Sequence, residues 1–376
     1  MKIKSLEELQ RTLLPHSKVL LLYSGGLDGS FLLWWLSKQS IGKLFALTID
    51  LGGDLDLSVV REICSNFGAE SLVIDKREEF VAEYVAPSIP AQGYYLGGHP
   101  ICASLSRPLM AKVAVEVACR EKIDVLLHSS NVTQNSLRRF NGALESLQFA
   151  GVFGSPFEES TITREEKRKC LLCSGGWKGT DARFSSDTNL WGREFENGSL
   201  DDPENIDIPE EIFSWTRQPR AKSSRKISLK FERGLPSSLD SVPMGLSKII
   251  SRLQFEVGAF GIGRYVGLEE IQNGSKVQEV REMPAATLLY DAYRRLESAS
   301  VRSECVREKL CLEQLWVREA IEGRWFGLLR ESAQEFINHV AARVNGTIEY
   351  ELDSQGFKVQ SLRSEIPRYL RSRGES

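Results

Sequence analysis

The chain has 376 residues, with 48 Lys and Arg against 51 Asp and Glu, a formal net charge of −3, 41% hydrophobic residues and 26% charged ones. That length suits two domains, or one large domain with an appendage, and the composition is that of a globular protein rather than a disordered or fibrous one. The charge balance provides no basic field to attract nucleic acid, the opening MKIKSLEELQRTLLPHSK lacks the apolar core and cleavage site of a leader, and no stretch is apolar enough to span a bilayer, so a cytoplasmic protein with no nucleic-acid or membrane partner is expected.

Residues 19–22 are continuously apolar, the pattern of a strand covered on both faces. Residues 31–36 are apolar again and predict a helix packed on a sheet. Between them stand Tyr23, Ser24, Gly25, Gly26, Leu27, Asp28, Gly29 and Ser30. The glycines let the backbone turn through positive φ and approach a ligand. The serine and aspartate suit a helix cap, and the unpaired N–H groups of a helix start suit an anion. Strand, glycine turn and helix start together predict a phosphate cradle, although the same order also makes an ordinary strand-to-helix turn.

Residues 44–51 predict a second strand, 55–67 a helix, 72–74 a short third strand and 80–85 a further helical stretch. A helix over 103–122 and a strand in DVLLHSS (124–130) complete the alternation. This rhythm implies an α/β fold, a parallel doubly wound sheet with helices on both faces. Ligands of such sheets bind beyond the carboxyl ends of the strands, where the polar loops after Tyr23 and Leu127 fall.

From about residue 150 the rhythm breaks, and a boundary near 160 separates residues 1–160 from 161–376. The stretches 153–187 and 197–211 are polar, turn-rich or acidic and predict solvated loops. Residues 226–236 read as a strand, 246–261 and 286–299 as helices, and amphipathic runs continue to about 344. The stripe over 310–328 reads as a packing or subunit-contact face. Residues 345–362 read as a hairpin turning near Gly356, so the second half is α+β. The seven cysteines are expected to be reduced thiols, and Cys170 and Cys173 have the C-x-x-C spacing of half a zinc site or a redox pair, with no second pair to complete it. Trp34, Trp35 and Trp191 read as packing residues.

Four segments carry a resemblance. YSGGLDGS (23–30), SLSRPLMAK (104–112), SSDTNLWGREFENGSLDDP (185–203) and GIGR…GSK…REMPAATLL (261–289) occur in this order. Together they resemble argininosuccinate synthase, of the N-type ATP pyrophosphatases, over nearly the whole chain. SGGxDxS alone is shared more widely, with tRNA thiolases and amidotransferase synthetase domains. The resemblance implies an adenine nucleotide alpha hydrolase-like sheet followed by an α+β synthetase domain, and an AMP-forming C–N ligase. In that reaction a ureido oxygen attacks the α-phosphorus of ATP, pyrophosphate departs, and an amine then displaces AMP. ATP would lie on residues 23–30, at the backbone of Ile49 and at Ser129. Asp28 and Arg107 would do catalytic work, Asp28 by capping the loop or by holding Mg²⁺ through water, with Mg²⁺ arriving on ATP rather than in a protein-held site. No G-x-x-x-x-G-K-[ST] sequence occurs, which disfavours a γ-phosphate-transferring P-loop.

By the same resemblance Ser104, Asn135, Arg139, Ser185 and Glu269 match a citrulline pocket, an arginine fork suiting an α-carboxylate and a glutamate an α-ammonium. Three positions depart: His99 and Arg281 stand where the family has tyrosine, and Glu194 where it has serine. Glu194 and Arg281 either pair with each other or read a new polar group on the substrate. In HSSNVTQNSLRRF (128–140), Ser129, Val132 and Gln134 replace glycines, Asn131 a threonine that holds aspartate, Thr133 a lysine, and Ser136 an acidic residue; nearby, Ala103 replaces a threonine. Those losses cost a charged amine donor several hydrogen bonds of roughly 1.5–3 kcal/mol each, and β-branched Val132 resists positive φ. The loop is therefore expected in another conformation, with aspartate held differently or another amine in its place. His128 would face the nucleotide or serve the core. The resemblance further implies small-molecule amino-acid substrates and a homo-oligomer, a dimer or tetramer with a shortened C-terminal arm. A tRNA-thiolase-like sulfur transfer through Cys170 and Cys173 is the alternative, and a catalytically idle binding relative a third reading.

Overall fold

The computed structural model describes residues 1–177, 184–217, 223–271 and 274–371. Its first half alternates β1 (Lys2–Ile3), α1 (Leu6–Thr12), β2 (Lys18–Leu22), α2 (Leu27–Leu36), β3 (Lys43–Asp50), α3 (Leu57–Asn66) and β4 (Glu70–Asp75). Two short helices, α4 (Arg77–Phe80) and α5 (Ala86–Ser88), flank a π turn at Val81–Val85 and lead into a ribbon of β5 (Tyr94–Tyr95) and β6 (His99–Pro100). Then come α6 (Ala103–Glu121), β7 (Val125–Leu127), α7 (Ser136–Ser146), β8 (Val152–Gly154) and α8 (Arg164–Ser174).

Six strands form one all-parallel sheet in the order β1-β8-β7-β2-β3-β4. From β2 the chain runs outward to β3 and β4, then returns to lay β7 on the other side. The loop after β2 therefore sits at the topological switch point, where such sheets open a crevice. The apolar run of β2 divides by period 2: Leu20 joins one hydrophobic cluster, whereas Val19 and Leu21 join another on the opposite face.

The second half holds an antiparallel sheet of β9 (Ser185–Thr188), β10 (Arg193–Glu196), β14 (Arg264–Glu270) and β15 (Lys276–Glu282), ordered β14-β15-β10-β9. A further antiparallel sheet, β13-β12-β11-β16-β17, combines β11 (Arg225–Glu232), β12 (Leu235–Leu239) and β13 (Val242–Pro243) with the hairpin β16 (Gly346–Asp353) and β17 (Gly356–Ser364). Helices α9 (Leu246–Gly258) and α10 (Pro284–Ser300) pack on the second of these sheets, α11 (Ser303–Ile321) joins α10 to α6, and α12 (Leu328–Ala341) packs on α11. Buried Glu282 ties the loop at 214–216 to β15, accepting from the N–H groups of Ser214 (3.1 Å), Trp215 (3.0 Å) and Thr216 (2.8 Å).

Most expected elements are present, the hairpin turning at Gly356 included. The stretch 153–187 is a correction: instead of solvated loops it holds β8, α8 and β9. A reciprocal cap starts α8. Thr163 Oγ1 accepts from Glu166 N at 3.2 Å and the Glu166 carboxylate accepts from Thr163 N at 2.8 Å. The helix then lies against α2 through Lys167 and Leu171, one turn apart. Cys170 and Cys173 are thus helical, not loop, residues, and all seven cysteines are unpaired thiols. Trp191 is fully buried against Tyr290 in the core.

Candidate functional site

The crevice begins at the end of β2. Tyr23 N donates to Leu47 O at 2.9 Å and Thr48 Oγ1 donates to Tyr23 O at 2.8 Å, so β3 pins the strand where it turns. Gly25 then adopts φ +86°, a conformation that glycine takes freely. Gly26 is the N-cap of α2, and no side chain caps that helix start. Its first-turn amides therefore face the crevice with the positive end of the helix dipole behind them. A Cβ on Gly29 would stand 2.9 Å from the Tyr23 ring, so the ring and the helix meet closely there. Ser24 is exposed, whereas Ser30 is buried, with its hydroxyl 2.9 Å from Tyr23 Oη and donating to Gly26 O at 2.8 Å. The Ser30 and Tyr23 hydroxyls thus shape the loop from behind rather than pointing into it. Ile49 is buried within β3.

Asp28, in the first turn of α2, accepts from Lys167 Nζ at 2.8 Å. Lys167 is buried and its ammonium lies 3.9 Å from the centre of the Phe157 ring. This cation was not anticipated from the sequence, because its helix was read as a loop; the T-x-x-E cap signature at Thr163–Glu166 is the signal that would have found it.

The segment after β7 links two parts of the crevice. Ser129 Oγ lies 3.6 Å from where a Cβ would stand on Gly29. Asn131 Oδ1 accepts from Thr133 N (2.9 Å) and Thr133 Oγ1 (2.7 Å), an Asx turn, and Gln134 reaches Glu196 at 3.1 Å. No residue from Ser129 to Gln134 has positive φ, and Val132 is half exposed. At the far end of this segment Ser136 accepts from Arg107 Nε at 3.1 Å, and Arg107 also pairs with Asp187 at 2.5 Å. His128 points away into the core. Its Nε2 lies 3.1 Å from Asn141 Oδ1, its ring packs on Phe140, and burial pushes its pKa down to about 4.

Beyond these residues lies a buried charge cluster. In the register of β10 and β15, Glu194 stands opposite Arg281, and β14 brings Glu269 alongside. Arg281 Nε donates to Glu194 Oε1 at 2.8 Å, and its Nη2 donates to Glu269 Oε2 at 2.8 Å and to Glu279. Glu269 Oε1 accepts from Asn135 Nδ2 at 2.6 Å and from Arg139. Glu194 Oε2 accepts from the N–H of Ala103, at the uncapped start of α6, at 3.1 Å. His99 Nε2 lies 3.9 Å from Glu269 Oε2. Burial pushes the Glu269 carboxyl up, but Arg139, His99 and Arg281 outweigh it and hold the group below the usual carboxylate range. Burial dominates at Glu279, which is pushed well up, and at His99, which is pushed down. Ser104 is buried at the head of α6 and Ser185 half-buried at the start of β9. Glu279 was not singled out beforehand, although it sits two residues from Arg281 on the same face of β15. A separate cavity of about 290 Å³, lined by Gly52, Leu190, Trp215 and Phe255 among others, includes none of these charged groups.

The crevice thus presents an uncapped helix start at one end and a set of buried ionic groups at the other, joined by one loop. Against known proteins, the family model described as "Arginosuccinate synthase N-terminal HUP domain" matches residues 18–170, and "Arginosuccinate synthase C-terminal domain" matches residues 184–371. The chain belongs to the argininosuccinate synthase family. It is 35% identical over 347 residues to argininosuccinate synthase of Rubrobacter xylanophilus, covering 90% of this chain and 84% of that one. It is also 35% identical over 345 residues to that of Symbiobacterium thermophilum, covering 90% and 86%. A U34-tRNA thiolase from Methanococcus maripaludis superposes with a TM-score of 0.32 at 16% identity, over 46% of this chain and 63% of that one. As a member of the argininosuccinate synthase family, the chain is an ATP-dependent ligase that forms C–N bonds. No helix among the described residues is long and apolar enough to cross a membrane.

Proposed function

We propose that this ligase uses ATP to adenylate the oxygen of a ureido or amide acid, citrulline or a relative of it, and then lets an amine displace AMP. The observation that carries the reading is the uncapped start of α2 behind Gly25 at the switch point of the sheet. In the first step the acceptor oxygen attacks the α-phosphorus, the bond to the bridging oxygen breaks, and pyrophosphate leaves with the negative charge. Amides of residues 26–29 and the ammonium of Lys167 would stabilise that charge. Ile49 backbone would receive the adenine, and Ser129 would close over the phosphates beside Gly29. Arg107, close to both Ser136 and Asp187, would orient the α-phosphate. In the second step the amine nitrogen attacks the activated carbon, the C–O bond breaks, AMP leaves and the amine gives up a proton.

The amine site differs from the family pattern. Asn131 spends its carbonyl on its own turn and Ser136 accepts from Arg107, so aspartate would be held differently or another amine used. Mg²⁺ would ride on the phosphates: Asp28 is engaged by Lys167, and no group of three or more His, Cys, Asp or Glu among the described residues could hold a metal. The sulfur-transfer reading is not favoured, since Cys170 and Cys173 lie on the helix that supports Lys167 and form part of no such group.

Product analysis tests the proposal. With ATP, candidate ureido acids and a panel of amines, nucleotide should appear as AMP with stoichiometric pyrophosphate. ADP and orthophosphate instead would refute it.

A further inference from the structure

The pocket expected to hold an amino acid already contains its own counter-charges. A free α-amino acid needs a carboxylate for its ammonium and a cation or helix start for its carboxylate. Here both oxygens of Glu269 are occupied, Oε1 by Asn135 and Arg139 and Oε2 by Arg281. The amide of Ala103 is filled by Glu194, and Arg139 is spent on Glu269 and on Ile321 O, at 3.3 Å. Glu279, whose carboxyl burial pushes up, also accepts from Arg281 Nη2, so each carboxyl of the cluster already has a donor from the protein. An ammonium arriving at Glu269 would have to expel a guanidinium that is itself buried, leaving a charge without a counter-ion.

Three polar atoms of the cluster have no hydrogen-bond partner: Arg281 Nη1, Asn135 Oδ1 and His99 Nε2. All three residues are more than nine-tenths buried. One is a cationic donor, one a neutral acceptor and one an uncharged imidazole nitrogen. Together they suit an oxygen beside an N–H, as in a ureido or amide group or a carboxylate with a neighbouring amide. None is an anion free to take an ammonium.

Resting on the proposed adenylation, we infer that the activated substrate is a ureido or amide acid without an α-ammonium group, selected by the Glu194–Arg281–Glu269 array. Arg281 is the residue that sets this specificity, because its guanidinium stands in for the missing ammonium.

Calorimetric titration of the full chain, saturated with α,β-methylene-ATP, compares 5-ureidopentanoate with citrulline, two probes that differ by the α-ammonium alone. The expected result is at least tenfold tighter binding of 5-ureidopentanoate. The double variant Glu194→Ser, Arg281→Tyr, checked for native near-UV circular dichroism, should reverse the order. Citrulline binding as tightly or more tightly to the unmodified protein overturns the inference, and so does binding of the nucleotide analogue with neither acid. Failure of the analogue itself to bind is a different result, which removes the adenylation reading and this inference with it.

Discussion

Lys167 shows how much one side chain can decide. Its ammonium is buried against Phe157 and pairs with Asp28 beside the amides of α2. In the proposed first step, a cation already in place when pyrophosphate leaves needs no reorganisation. Lys167→Met should weaken pyrophosphate binding about tenfold, or about 1.4 kcal/mol, while Lys167→Arg keeps most of it; titration with pyrophosphate reads both. At His128 the sign follows from burial. Its pKa falls from an ordinary 6.5 to about 4, so between those values the unfolded chain binds a proton that the folded chain refuses. Stability present above pH 6.5 is therefore lost as pH falls toward 4, by up to about 3 kcal/mol. Urea unfolding of His128→Gln across that window should show a shallower acid decline than the unmodified chain, and an equal decline would contradict the assignment. At this scale the sequence revealed the paired departure at Glu194 and Arg281, but not that Glu279 and Lys167 join the charged groups. A strand's period of 2 would have placed Glu279, and the T-x-x-E cap at Thr163–Glu166 would have placed Lys167 on a helix.

At the scale of elements, legibility followed hydrophobic pattern. β3 is buried over six consecutive residues, and α2 is apolar around nearly its whole circumference, so both announce themselves. By contrast α8 buries only Lys167 and Leu171 in a highly charged stretch, and its period is hidden. Its local signal is the cap. Thr163→Ala removes the hydroxyl that satisfies Glu166 N and should cost about 1 kcal/mol. Because α8 positions Lys167, the same variant should also weaken pyrophosphate binding, less than Lys167→Met does. Denaturant midpoints and the pyrophosphate titration separate the two effects. A variant as stable as the parent would show that the cap is redundant. The loop after β7 was legible in a negative sense: β-branched Val132 argued against a glycine-like turn, and no residue from Ser129 to Gln134 takes positive φ.

For the whole molecule, the sequence divided near residue 160, yet burial runs through that line. One apolar cluster joins Leu20, Phe45 and Leu105 of the parallel sheet and its helices to Trp191, Leu289 and Trp316 of the second half. The other cluster shares β2 with it, through Val19 and Leu21. Exposing either half would therefore uncover the shared cluster, at about 25 cal/mol for each Å² of apolar surface. Such coupling predicts cooperative unfolding of the two halves together. Tryptophans report on both sides, Trp34 and Trp35 within α2, Trp191 and Trp316 in the shared core. Fluorescence and far-UV circular dichroism should trace one coincident transition. With ATP at the first sheet, as proposed, nucleotide should then move the entire transition rather than half of it. At a hundredfold excess over Kd the shift corresponds to about 2.7 kcal/mol. Two resolved transitions, with only one displaced by nucleotide, would show that the shared cluster does not couple the nucleotide crevice to the ionic pocket.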